Sequence, residues 1–296
     1  MKNSIALQIT KSWEEYALLD SGSGKRLERF GKYILSRPDP QAIWLPKLPV
    51  GVWETADAVF EKDKQGKENW KQRTGMPEKW EMQWENVTFY AKLSPFKHTG
   101  VFPEQASQWT FLRDQILKKV QDDKPFKLLN LFAYTGVASL VAASAGAEVT
   151  HVDSSSAAIN WAKDNQTLSG LSEKPIRWIL EDVMKFVERE VSRGNTYDGI
   201  IMDPPIYGHG VKNEVWDFMK DFPRLVEQAT KLLSPDAAFL LVNAYAISSS
   251  SLMLGSVLEG YLEGRHGTIT TGELALEEKE SSRLLSTGIY GLWSTQ

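Results

Sequence analysis

Two textures of apolar and polar positions divide this chain. Up to residue 94, apolar residues come in short runs at 5–10, 16–20 and 33–36, broken by turn residues. Trp80, Met82 and Trp84 alternate with Glu81, Gln83 and Glu85, the two-residue period of a half-buried strand. The stretch 61–75 is charged and polar and predicts an exposed excursion. Residues 1–94 therefore predict a small, mainly β N-terminal domain.

Residues 94–100 form a turn-rich connection, and the texture then changes. Trp109, Leu112, Ile116 and Val120 recur at helical spacing, predicting a helix over 105–120. Apolar runs at 128–131, 148–152, 176–180, 199–202 and 239–242 alternate with helical stretches at 137–145, 157–168, 183–191 and 215–233. Such alternation predicts an α/β domain over 95–296, with a Rossmann-like, mostly parallel sheet covered on both faces. Residues 268–276 and 283–293 predict a C-terminal antiparallel strand pair across the charged turn 277–281.

Composition narrows the chemistry. The 296 residues are 42% hydrophobic and 24% charged, as in ordinary globular proteins. No apolar run approaches the roughly 20 residues of a membrane span, and the N-terminus shows no signal-peptide pattern, so a cytoplasmic location is expected. Cysteine is absent, which excludes disulfides, thiolate nucleophiles and cysteine metal sites; the four histidines are scattered and predict no metal centre. With 34 basic against 38 acidic residues, the net charge of −4 argues against attraction of nucleic acid by the whole surface. Lys25, Arg26, Arg29, Lys32 and Arg37 leave room for a local basic face, though a solvated strand face explains them as well.

Ligands of open α/β sheets bind outside the carboxyl ends of strands, where strand order reverses. Three positions fall there. Phe132 to Gly136 make a small turn after the first strand, letting amides at the next helix N-terminus approach a ligand. Asp153 closes the second strand and can accept from a ribose diol, although Asp153-Ser154-Ser155 would equally cap a helix. Glu181-Asp182 closes the third, where a carboxylate can accept from an adenine amino group and the Val183 amide can donate to a ring nitrogen. A nicotinamide site would need three glycines against a pyrophosphate, and the turn Tyr134-Thr135-Gly136-Val137-Ala138-Ser139 has one.

Asp203-Pro204-Pro205 ends a later strand. Each proline fixes φ and removes a donor, so the carbonyls of Asp203 and Pro204 can face an amino group or base edge, with Tyr207 placed to stack. A strand-ending turn with a buried tyrosine is the plainer alternative. Gly208-His209-Gly210 predicts a hinged loop. His209 is there either a solvent-facing residue or a phosphate or proton contact.

Asn130-Leu131-Phe132-Ala133-Tyr134-Thr135-Gly136, Asp153, Asp182 and Asp203-Pro204-Pro205-Ile206-Tyr207 resemble the class I S-adenosylmethionine-dependent methyltransferases of the ribosomal-RNA large-subunit type. Gly100-Val101-Phe102-Pro103-Glu104-Gln105 is similar to that family's segment abutting the cofactor. The resemblance implies S-adenosylmethionine held by Phe102, Gln105, Asn130, Phe132, Tyr134, Thr135, Gly136, Asp153, Ser154, Asp182, Val183 and Asp203. It implies an acceptor faced by Asp203, Pro204, Pro205 and Tyr207, and RNA as the partner. Cytosine-C5 members carry a cysteine after the fifth strand. Here the stretch is Val242-Asn243-Ala244-Tyr245-Ala246, which disfavours C5 chemistry, and Ala106 replaces the family's frequent arginine. The expected reaction is methyl transfer to a base nitrogen. The rivals are a protein or small-molecule N-methyltransferase, suited to the acidic pI of about 5.7, and a non-catalytic RNA-binding protein.

Overall fold

The computed structural model describes residues 4–63, 65–95, 97–120, 124–212, 214–245 and 249–295. In chain order the first elements are β1 (Ser4–Thr10), β2 (Tyr16–Gly22), β3 (Lys25–Phe30), β4 (Tyr33–Pro38), α1 (Val50–Trp53), β5 (Ala58–Lys62), β6 (Glu68–Gln72), β7 (Lys79–Trp84) and β8 (Val87–Lys92). After a short turn at Pro103–Gln105 come α2 (Ala106–Val120), β9 (Lys127–Leu131), α3 (Val137–Ser144), β10 (Glu148–Asp153), α4 (Ser156–Leu168), β11 (Ile176–Leu180), α5 (Val183–Ser192) and β12 (Gly199–Met202). The remaining elements are β13 (Tyr207–His209), β14 (Val215–Asp217), α6 (Phe218–Lys231), β15 (Phe239–Ala244), α7 (Ser251–Tyr261), β16 (Thr268–Glu277) and β17 (Leu284–Ser294).

By contacts the chain gathers into two compact units. One comprises residues up to 8, 108–274 and 288 onward; the other comprises 9–107 and 275–287. No single cut in the chain, at residue 94 or elsewhere, reproduces that partition.

The eight-stranded sheet has the order β1-β16-β17-β15-β12-β9-β10-β11. β11, β10, β9, β12 and β15 are parallel, and β17 runs antiparallel to β15. This is the expected α/β, Rossmann-like sheet with an antiparallel C-terminal part. The chain steps from β9 out to β10 and β11, then returns to the other side of β9 as β12. Strand order thus reverses between β9 and β12, the point beyond whose carboxyl ends open α/β sheets bind ligands.

Neighbouring strand residues feed opposite cores. Leu129, Leu131, Ile200, Met202, Leu240 and Val242 pack with Phe186 of α5, Phe222 and Leu225 of α6 and Leu258 of α7. Leu128, Ile201, Phe239 and Leu241 pack instead with Leu112 and Ile116 of α2 and Ala142 of α3. With both faces covered, these strands read as unbroken apolar runs rather than as alternation.

One helix expectation is corrected, and one helix was not expected. The stretch 215–233 is not one helix. Residues 215–217 pair with β13, and α6 starts at Phe218, where the Asp217 side chain accepts from the Lys220 amide at 3.3 Å. α7 is unpredicted because Gly255 and Gly260 weaken its helical signal, yet Ser250 caps it by accepting from the Leu252 amide at 3.2 Å.

In the other unit, β2-β3-β4-β5-β6 form one sheet and β7-β8 a hairpin. Trp80, Met82 and Trp84 are buried and their alternating partners exposed, as the two-residue period predicts. The polar stretch 61–75 is not merely an excursion. It supplies the end of β5 and all of β6, joined by the Lys71–Glu61 ion pair at 2.5 Å and by Phe60 against Trp70 at 5.3 Å. Lys64 lies outside the described residues.

The basic cluster is also corrected. Arg26 and Arg37 are buried, so they form neither a solvated face nor a nucleic-acid face. They stand opposite each other on β3 and β4, where like charges repel. Glu28, fully buried two residues along on the same face, is the counter-ion they share, and Asp39 lies 3.8 Å from Arg26 Nε. Glu28 Oε2 accepts from Arg37 Nε at 2.6 Å and lies 3.3 Å from Arg26 Nε, while Oε1 accepts from the Tyr16 hydroxyl at 2.8 Å. Burial pushes the Glu28 carboxyl up, but the two guanidiniums outweigh it and hold its pKa down at about 2.

Candidate active site

β9 stops at Leu131 because the backbone turns left-handed. Phe132, Tyr134 and Gly136 take φ of 55°, 50° and 83°. For Phe132 and Tyr134 this conformation costs about 1–3 kcal/mol each, so surrounding contacts must hold it. The Ala133 amide donates to the Val152 carbonyl at 3.1 Å, and the Tyr134 amide donates to Asp153 Oδ2 at 2.8 Å. Gly136 opens α3. A Cβ there would lie 2.9 Å from the Ala162 Cβ, so close approach to α4 and positive φ both demand glycine.

Asp153 serves two functions. Oδ2 anchors the turn through Tyr134, and Oδ1 accepts from the Ser155 amide at 2.8 Å. It is Ser155, not Asp153, whose side chain caps α4, by accepting from the Ala158 amide at 3.2 Å. Each Asp153 oxygen has a second lone pair for a ribose hydroxyl. Burial pushes the Asp153 carboxyl up, and the amides of Ser155, Tyr134 and Ser154 only partly offset it.

Asp182 caps α5, Oδ1 accepting from the Lys185 amide at 3.0 Å. Neighbouring Glu181 instead pairs with Arg189. Val183 begins α5 and is buried. Asn130 is buried too, its amide donating to Ser139 Oγ at 2.9 Å, and Thr135 offers its carbonyl to Asn165 at 2.9 Å. Both residues brace the turn from beneath. Phe102 and Gln105 belong to the other unit, where Phe102 precedes the turn Pro103–Gln105 and Thr10 Oγ1 donates to the Glu104 carbonyl at 3.1 Å.

The turn at Asp203-Pro204-Pro205 lies beside the turn at 132–136. β12 pairs with β9 so that Met202 stands opposite Leu131, and the Asp203 amide donates to the Leu131 carbonyl at 3.3 Å. Tyr207 follows as a 57% exposed residue on β13, its ring 5.4 Å from that of His209. The expected hinged loop is a hairpin of β13 and β14. It lies along the donor side: Ser154 Oγ donates to the His209 carbonyl at 3.3 Å, and Lys185 pairs with Glu214. A Cβ on Gly210 would come within 2.9 Å of Asp182 Oδ2, so the hairpin passes close to the end of that side chain. The sequence reading missed Trp216, whose indole Nε1 donates to the Pro205 carbonyl at 2.7 Å; its alternation with Val215 and Asp217 was the available signal. At the end of β15, Asn243 exchanges amide hydrogen bonds of 2.8 Å with Gln108, and Ala246 lies outside the described residues.

These groups suit an adenosyl sulfonium. Asp153 and Asp182 offer carboxylates at the ends of adjacent strands, and a ligand without phosphates would need no glycine triplet in the turn. Among the described residues no cluster of metal-ligating side chains stands, and no helix is long and apolar enough to cross a membrane.

His151 sits beneath the turn, fully buried, with its Nδ1 3.0 Å from Ser139 Oγ. Burial lowers its pKa from 6.5 to about 3. The folded state therefore binds fewer protons than the unfolded state between these values. Stability attributable to this group is present above pH 6.5 and is lost as pH falls toward 3, at about 1.4 kcal/mol per unit. Urea midpoints measured from pH 7 to pH 4 are expected to fall less steeply for His151→Gln than for the wild type. Parallel curves would show that His151 is not the acid-sensitive group.

The family model for S-adenosylmethionine-dependent methyltransferases matches residues 59–260. The chain is 36% identical over 137 residues to ribosomal RNA large subunit methyltransferase K/L of Shewanella frigidimarina, across 45% of this chain and 19% of that protein. It is 30% identical over 158 residues to ribosomal RNA large subunit methyltransferase K of Neisseria meningitidis serogroup B, across 52% and 42%. The chain thus spans less than half the length of these curated relatives. The crystal structure of the SAM-dependent methyltransferase from Agrobacterium tumefaciens is 41% identical, with a TM-score of 0.95, covering 99% of this chain and 95% of that one. A Streptococcus mutans structure at 18% identity and a TM-score of 0.71, covering 94% and 75%, shows the same fold. That family model spans more than half of the 296 residues, and this chain belongs to the S-adenosylmethionine-dependent methyltransferase family.

Proposed function

We propose that this chain methylates a base nitrogen in RNA, with ribosomal RNA the foremost substrate, in the cytoplasm. The observation that carries the reading is the Asp203 amide bonded to the Leu131 carbonyl, which sets acceptor turn and donor turn side by side. The names of the Shewanella and Neisseria relatives support RNA as the acceptor. S-adenosylmethionine, when bound, supplies a methyl group already activated by its sulfonium. What the protein adds is alignment and exclusion of water. Asp153, Asp182 and the turn at 132–136 would hold the donor. The carbonyls of Asp203 and Pro204 would accept from an amino group or base edge, and Tyr207 would stack on the base. A guanine N7 needs no proton removed. An exocyclic amine needs its lone pair freed, which Asp203 would assist by hydrogen bonding. With no cysteine in the chain, thiolate addition to a pyrimidine ring has no nucleophile.

Mass spectrometry of ribosomal RNA nucleosides from cells lacking this protein should show one methylated nucleoside missing. Wild type should restore it and Asp203→Ala should not. An unchanged nucleoside profile would overturn RNA as the substrate.

Tyr207→Ala should lower methyl-transfer efficiency about 5- to 150-fold, the loss of one base stack, with cofactor affinity nearly intact. Tyr207→Phe should retain most activity. If phenylalanine is as inactive as alanine, the hydroxyl matters and the stacking role is wrong. If both variants lose cofactor affinity, Tyr207 belongs to the donor pocket.

A further inference from the structure

One side chain touches both turns. Trp216 on β14 is buried, its indole donates to the Pro205 carbonyl at 2.7 Å, and its ring lies 5.1 Å from that of Phe132, inclined at 58°. The two prolines deny the acceptor turn two backbone donors, so external tethers must define it. The Asp203 amide to the Leu131 carbonyl holds its near end, and the Trp216 indole holds its far end. At the other edge of the indole, Phe132 is a left-handed residue of the donor turn. We propose that Trp216 is a positioning residue that transmits occupancy of the donor turn to the acceptor turn, which rests on the methyl-transfer reading above. A ligand seated against residues 132–136 fixes the Phe132 backbone and ring. That ring fixes the indole plane, and the indole N–H then holds Pro205 and, through it, Ile206 and Tyr207. Slippage is opposed because it forfeits this part-buried hydrogen bond.

The test needs no acceptor. Hydrogen exchange read by mass spectrometry would compare wild type and Trp216→Phe, each with and without S-adenosylhomocysteine, alongside calorimetry. In the wild type the ligand should slow exchange in both 130–136 and 206–210. Trp216→Phe keeps a ring against Phe132 but loses the donor. It should bind the ligand within about twofold of wild type and still protect 130–136. Its ligand-dependent protection of 206–210 should drop roughly two- to tenfold, the weight of one neutral hydrogen bond. The proposal is overturned if wild type protects 130–136 alone, or if the variant retains both effects. It is equally overturned if the variant loses ligand affinity, which would make Trp216 part of the donor pocket, or loosens both segments regardless of ligand, which would make it merely structural. A wild type that binds no S-adenosylhomocysteine would overturn the methyl-transfer reading and, with it, this inference.

Discussion

Asp153→Ala is expected to weaken S-adenosylhomocysteine binding at least a hundredfold in a protein that still folds. Two hydrogen bonds from a ribose diol to a carboxylate contribute roughly 1.5–3 kcal/mol each, and about 1.4 kcal/mol is a factor of ten. The same substitution removes the acceptor of the Tyr134 amide, so the left-handed turn loses an anchor as well. Asp153→Asn keeps an acceptor for Tyr134 without the charge and should fall between the two. Because burial raises the Asp153 pKa, ligand affinity should fall on acidification sooner than for a solvent-facing carboxylate. Calorimetry showing wild-type affinity in folded Asp153→Ala would remove this residue from the cofactor site.

Glu28→Ala should cost about 3–5 kcal/mol of stability, because it leaves the guanidiniums of Arg26 and Arg37 buried without their shared counter-ion. A fall in melting temperature on the order of 10 °C follows for a chain of this size. The wild-type contribution should be present above pH 4.5 and lost as pH falls through about 2, since the folded carboxyl titrates far below its ordinary value. A melting curve for Glu28→Ala that overlays the wild type would show the cluster to be energetically idle.

The donor side of the site was legible because its chemistry is local. A strand, a small turn and a helix are consecutive in sequence, so Leu131, Gly136 and Asp153 announce themselves by spacing. Asp203-Pro204-Pro205 was legible for the same reason. Trp216 was not. Its partners, Pro205 and Phe132, are 11 and 84 positions away, and only the hairpin of β13 and β14 brings the indole to them. Nor did one glycine in the turn disclose that Phe132 and Tyr134 also adopt positive φ, because nothing in a phenylalanine or a tyrosine signals that conformation.

Alone, the sequence determined the alternation of strands and helices, the parallel sheet and the class of cofactor, since these follow from periodicity and from residues near one another along the chain. Tertiary structure decided what depends on distant residues meeting. Arg26 and Arg37 look like a surface charge run until β3 and β4 pair around Glu28 and take all three out of water. The polar residues of β6 look like a loop until β5 offers an edge to bond. Residues 215–217 continue an apolar pattern that reads as helix until β13 claims them as a strand. In each case a hydrogen-bonding or ionic partner supplied by another segment outweighed the local preference, and no local pattern encodes that partner.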